Sequence, residues 1–168
     1  EPDLLILDEP TSALDVSVQA QILRLLEELR DAHDLTYVFI SHDLSVIHYI
    51  SDTIGVMYLG RIVESGPAES IFNAPSHPYA KALLDAAPEP DFTSRKPLAV
   101  LEGTVPSALA PPPGCHFHER CPIAQPICAQ ISPPLEACGD DRWVACHFPI
   151  GIQRTPTEEP NDEGEATQ

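Results

Sequence analysis

Residues 4 to 40 read as strand, helix, strand, and that order leaves few folds open. Leu4-Leu5-Ile6-Leu7 is a short continuous apolar run, the pattern of a central parallel strand buried on both faces. From about Ser17 to Ala32, Val18, Ile22, Leu25, Leu26 and Leu29 recur at helical spacing and make one apolar face. Thr36-Tyr37-Val38-Phe39-Ile40 is β-branched and aromatic and predicts a second strand. Two strands joined through a helix pair in parallel. The expected fold class is therefore α/β. A second helix is predicted at about Leu44 to Ser51. Two strands joined around Leu59-Gly60 are predicted within Ile54 to Gly66, and short helices over Ala68 to Phe72 and Pro78 to Ala86. A strand like Leu4–Leu7 does not stand alone, so residue 1 is expected to be a truncation point.

Charge narrows the partners. Nine basic against 26 acidic residues give a net charge of −17, which argues against a nucleic acid backbone as ligand. No apolar run approaches the roughly 20 residues of a membrane helix. Glu1-Pro2-Asp3 lacks the basic start of a secretion signal. Four zones follow from composition: an α/β zone at 1–85, a Pro-rich connector at 86–114, a Cys-rich segment at 115–149 and an acidic tail at 150–168, expected to be solvated.

Parallel sheets place functional groups just beyond the C-terminal ends of their strands. The first strand runs into Asp8-Glu9 and the second into Ser41-His42-Asp43. One carboxylate of such a pair can hold Mg²⁺ through water, and the other can take a proton from an attacking water. A histidine across the same edge can donate to a phosphate oxygen. Taken alone, an acidic pair after a strand is common, and Ser-His-Asp serves equally well to cap the next helix.

The longer string Leu4-Leu5-Ile6-Leu7-Asp8-Glu9-Pro10-Thr11-Ser12-Ala13-Leu14-Asp15 resembles the Walker B and D-loop segment of ABC ATPases, and Ser41-His42-Asp43 resembles their switch-histidine segment. The stretch from Asp52 to Gly66 looks like the hairpin that closes that domain. The resemblance covers residues 1 to 149 and implies the C-terminal part of a P-loop NTPase sheet. It implies ATP and Mg²⁺ as cofactors, with Asp8 on Mg²⁺ through water, Glu9 as general base and His42 on the γ-phosphate. It puts Ser12 and Asp15 at a dimer seam. Implied partners are a second ATPase subunit, two membrane permeases and an extracytoplasmic peptide-binding protein, at the cytoplasmic face of the inner membrane. The sequence contains no G-x-x-x-x-G-K-[ST] phosphate loop and no Leu-Ser-Gly-Gly-Gln signature, so the chain by itself is expected not to hydrolyse ATP.

Val16-Ser17-Val18-Gln19-Ala20-Gln21-Ile22-Leu23 and Pro75-Ser76-His77-Pro78-Tyr79-Ala80-Lys81-Ala82-Leu83-Leu84 resemble the oligopeptide and dipeptide importer branch. His77-Pro78-Tyr79 also reads as a helix start, with Pro in the first turn. Gly114-Cys115-His116-Phe117-His118-Glu119-Arg120-Cys121-Pro122 and Val144-Ala145-Cys146-His147 look like the C-terminal extension of peptide-importer ATPases. Four thiolates suit zinc or an iron–sulfur cluster. The spacing Cys115-x₅-Cys121-x₆-Cys128-x₁₇-Cys146 has no tight Cys-x₂-Cys pair and favours the larger cubane. The resemblance implies a [4Fe–4S] cluster on these four, with zinc or no metal as alternatives and Cys138 as an extra. His116, His118 and His147 read as partly exposed polar residues. Trp143 is expected to pack a small lobe that needs a staple to order itself. Three other functions compete: a non-enzymatic metal-binding or regulatory module, an importer ATPase for nickel or another small solute, and a soluble ABC protein of DNA repair or translation. The charge and the peptide-importer tail speak against the last.

Overall fold

The computed structural model describes residues 2–87, 103–139 and 141–152. Most of the expected connector, at 88–102, and of the acidic tail, at 153–168, lies outside the described residues.

Two sheets form. In the first, β1 (Leu4–Asp8) and β2 (Thr36–Ile40) pair in parallel, with Leu4 opposite Thr36 and Asp8 opposite Ile40. The crossover between them is α1 (Val16–His33), and α2 (Leu44–Ile50) follows β2. Strand alternation sends Leu7, Tyr37 and Phe39 onto one face, where they pack on Leu23 and Leu26 of α1 and Val46 and Ile50 of α2. The Tyr37 hydroxyl donates to the Leu26 carbonyl at 2.9 Å and ties strand to helix.

The opposite face corrects one expectation. The apolar run at Leu4–Leu7 is not buried on both sides. Leu4, Ile6, Val38 and Ile40 are 50%, 64%, 45% and 47% exposed. The reason is topological: both helices of this unit lie on the same face, so every second strand residue is left uncovered.

The second sheet has order β3-β4-β6-β5. β3 (Thr53–Tyr58) and β4 (Arg61–Pro67) make the hairpin expected around Leu59-Gly60, where both residues take positive φ. α3 (Ala68–Asn73) and α4 (Pro78–Ala86) follow it. The Cys-rich segment contributes two short 3₁₀ turns, His118–Arg120 and Pro126–Ala129, then β5 (Glu136–Ala137) and β6 (Trp143–Val144).

This segment is not a lobe of its own. β6 pairs antiparallel with β4, matching Glu64 to Val144 and Ser65 to Trp143. Phe117, 1% exposed, enters the hairpin core beside Tyr58 and Val63. It meets Tyr58 edge-on at 5.2 Å between ring centres and Tyr79 of α4 at 5.3 Å. Trp143 is not the packing residue either, being 41% exposed. Neighbouring strand residues face opposite ways, and Val144, at 0% exposure, takes the inward position.

Candidate active site

The parallel register brings the two strand tips together. With Asp8 opposite Ile40, Glu9 stands one residue beyond β1 and His42 two beyond β2. Glu9 Oε1 lies 2.8 Å from His42 Nδ1. The Glu9 amide donates to the Ile40 carbonyl at 2.9 Å, continuing the ladder past the end of β1. Glu9 has φ of +50°, in the left-handed region that a side chain with a Cβ rarely enters. Such strain costs on the order of 1–3 kcal/mol and persists where the surroundings impose it. Glu9 Oε2 is buried and has no hydrogen-bond partner. Asp8 sits on the exposed face of β1 with Leu4 and Ile6.

The hydrogen bond to Glu9, then the charge of Glu9, raises the His42 pKa above its usual value, although the ring is open to solvent. In Ser41-His42-Asp43 the helix-capping reading of the sequence is realised. Asp43 is the N-cap of α2: its Oδ1 accepts from the amides of Ser45 at 2.9 Å and Val46 at 3.3 Å. Its other oxygen accepts from Gln19 of α1 at 3.3 Å. Burial works against the charged form of Asp43, but these hydrogen bonds from Gln19 and the helix amides outweigh it and lower its pKa. Asp15 caps α1, accepting from the amides of Ser17 and Val18, each at 3.0 Å. The Ser12 hydroxyl donates to the Glu9 carbonyl at 3.0 Å.

A second constellation lies in the C-terminal half. Cys115, Cys121, Cys128 and Cys146 line one small cavity with His77, His118 and His147, whereas Cys138 is not among its lining residues. None of the five cysteines is in a disulfide. Burial raises the pKa of Cys115 and Cys121 and pushes the Cys146 thiol up to about 11. Cys115 is pinned beside Cys128 by its amide, which donates to the Cys128 carbonyl at 2.8 Å. Gly114 permits that approach: φ is +70°, and a Cβ there would collide with the same carbonyl. Among the described residues, no three His, Cys, Asp or Glu side chains are gathered closely enough to hold a metal ion. The site offers four thiols facing one space rather than a preformed ion cage.

The family profile described as "Oligopeptide/dipeptide transporter, C-terminal region" matches residues 63–128. Oligopeptide transport ATP-binding protein AppF of Bacillus subtilis (strain 168) is 48% identical over 149 residues, 88% of this chain and 45% of that protein. Oligopeptide transport ATP-binding protein OppF of Salmonella typhimurium is 51% identical over 138 residues, 81% of this chain and 41% of the relative. Dipeptide transport ATP-binding protein DppF of Haemophilus influenzae is 49% identical over 146 residues, 87% and 45% of the two chains. Over more than four fifths of its length the chain is similar to ATP-binding proteins of oligopeptide and dipeptide transport. It spans a little under half the length of these curated relatives.

The stretch matched by the family profile runs from β4 through the His77-Pro78-Tyr79 helix start to Cys128, so Cys146 lies beyond it. The sequence reading passed over the groups that hold this stretch to the rest. Glu64, 0% exposed, accepts from the amides of Ser76 at 2.8 Å and His77 at 2.7 Å and from Arg142 Nη2 at 2.7 Å. Arg142 also donates to the Ala74 carbonyl and the Ser76 hydroxyl. The available signal was a carboxylate within the strand Arg61–Pro67, since a charge facing a core needs a partner. His77 is buried, and burial alone lowers its pKa to about 4, so its ring is neutral. No helix among the described residues is long and apolar enough to cross a membrane.

Proposed function

We propose that this chain carries the hydrolytic strand tips of an ATP-driven importer subunit for oligopeptides or dipeptides. One observation carries the reading: Glu9, strained and with one buried oxygen unused, sits 2.8 Å from His42 at the ends of two parallel strands. Glu9 Oε2 is the acceptor that takes a proton from the attacking water. Its partner Oε1 orients His42, whose exposed ring donates to a terminal phosphate oxygen; the raised pKa favours the protonated donor. Asp8 holds Mg²⁺ through water. When bound, ATP and Mg²⁺ supply the scissile anhydride and neutralise charge on its oxygens. Ser12 and Asp15 lie at the seam with the partner ATPase subunit. Ser12 reaches the site through its hydrogen bond to the Glu9 backbone.

In this reading residues 1–85 belong to the nucleotide-binding domain. Residues 115–149 are the C-terminal extension, joined through 86–114, and 150–168 form an acidic tail. The uncovered face of β1 and β2 is where the nucleotide-gripping half of the subunit packs. The assembly comprises a second ATPase subunit, two membrane permeases and an extracytoplasmic peptide-binding protein, with this subunit peripheral on the cytoplasmic face of the membrane and no nucleic acid. The relatives are named for oligopeptide, peptide and dipeptide transport. They lend no support to nickel as cargo or to a stand-alone metal module.

The test is phosphate release by the full-length subunit with its partner. Glu9→Gln is expected to reduce turnover about 10²-fold or more, the scale of a lost general base. Turnover within a few-fold of the parent would refute the assignment. The present chain alone is expected to release no phosphate.

The shared cavity favours an accompanying reading, a [4Fe–4S] cluster on Cys115, Cys121, Cys128 and Cys146. The donor set fits: four thiols from separate turns line one space, and His77, another lining residue, carries a buried nitrogen, Nε2, without a hydrogen-bond partner. When bound, such a cluster supplies a one-electron couple and cross-links the turns that hold it.

A further inference from the structure

Three imidazoles line the cysteine cavity: His77, His118 and His147. They differ in which nitrogen is left over. His118 Nδ1 donates to the Cys115 carbonyl at 2.8 Å, and His147 Nε2 donates to the Ile131 carbonyl at 2.9 Å. A carbonyl only accepts, so each ring has spent its N–H, and its second nitrogen in the neutral form is a lone pair.

His77 is the reverse case. It is the N-cap of α4, and its Nδ1 accepts the Tyr79 amide at 3.0 Å. That fixes the lone pair on Nδ1 and the ring proton on Nε2. The residue is 1% exposed, and Nε2 has no hydrogen-bond partner. The bond from the Tyr79 amide orients the ring, and the backbone beneath it is held as well. Its own amide is held by Glu64 at 2.7 Å, and Pro78 follows it in the first helical turn. A buried donor with no acceptor is rare in folded proteins and calls for an explanation. His77 is one of the residues that line the cavity, so a group inside the cavity is the acceptor within its reach.

We propose that His77 is a positioning residue that donates its Nε2–H to a sulfur of an iron–sulfur cluster held by Cys115, Cys121, Cys128 and Cys146, and so sets the cluster's potential. The inference rests on the cluster reading above. Sulfide and metal-bound thiolate are anionic acceptors, suited to an N–H donor. A zinc ion would add no acceptor atom of its own, whereas a cubane adds bridging sulfides. Hydrogen bonds to cluster sulfurs are among the factors that set reduction potential, and a donor favours the reduced, more negative form. One residue thus starts a helix with one nitrogen and reaches the cavity with the other.

The test uses the chain loaded anaerobically with ferrous iron and sulfide, titrated over its one-electron couple and followed by electron paramagnetic resonance. His77→Ser keeps a capping oxygen and removes the ring. His77→Gln returns an amide N–H to nearly the same reach. The midpoint is expected to move to more negative potential in the Ser variant and to recover most of the way in the Gln variant, with equal cluster content. Equal midpoints in all three, or a Gln variant displaced as far as Ser, would overturn the proposal. Should the Ser variant fail to fold, double resonance on parent protein labelled with ¹⁵N-histidine decides: an exchangeable proton on a histidine nitrogen coupled to the reduced cluster is expected, and its absence overturns the role. A parent protein that takes up no iron and sulfide brings down the cluster reading and this role together. That signature differs from a coloured protein indifferent to residue 77.

Discussion

The strand tips around Glu9 and His42 and the cavity walls around His77 are ordered by opposite means. At the tips, order comes from the surface. Asp15 and Asp43 cap two helices, and Glu9 joins the tips by bonding a His42 side chain that is 77% exposed. At the cavity, order comes from burial. Glu64, fully enclosed, gathers two amides and a guanidinium from segments far apart in sequence. An exposed arrangement can admit a nucleotide and release its products, and it needs little rearrangement to do so. A buried arrangement gives up access and gains a fixed geometry. The difference teaches that the strand tips borrow their rigidity from caps and strand register, while the C-terminal segment owns its rigidity through a desolvated charge pair.

That contrast can be attacked where it should be strongest. Arg142→Met leaves the Glu64 carboxylate buried without its counter-charge, and the expected loss is roughly 3–5 kcal/mol in urea unfolding. A loss below about 1 kcal/mol, the range of exposed pairs, would mean that burial is not what holds the segment. Asp43→Ala should cost less, about 1 kcal/mol, because it removes one cap at a largely solvated helix start. A cost equal to that of Arg142→Met would erase the distinction between the regions.

The smallest effect sharpens the picture of the tips. The His42 pKa is raised by its hydrogen bond to Glu9 and by the charge of that residue. A raised folded value means that the contact stabilises fully below the unfolded value of about 6.5 and that this contribution disappears as pH rises through the folded value. In a proton resonance titration, Glu9→Gln should bring the His42 pKa back down toward the ordinary value. An unchanged titration would show that the two side chains do not meet in solution.

Much of the first half was legible because its signals are local. The period of Val18, Ile22, Leu25, Leu26 and Leu29 predicts α1, and the structure extends it by one residue at each end, to Val16–His33. Thr36–Ile40 is the strand as predicted, and His77-Pro78-Tyr79 opens a helix whose cap is the histidine itself. The meeting of Glu9 with His42 was legible only through the longer string around each, since neither dipeptide specifies a partner strand.

What the sequence alone determined, then, is the succession of elements and the chemistry at their ends: apolar period, turn residues and caps act over a few positions, and the chain carries them wherever it goes. Tertiary structure decided the rest. It joined β6 to β4, chose Val144 over Trp143 for the interior, buried Glu64 against Arg142, and turned four cysteines with His77 toward one space. Those choices bring together residues dozens of positions apart, and no local pattern encodes a closure of that length; it is settled by which faces exclude water when the whole chain packs.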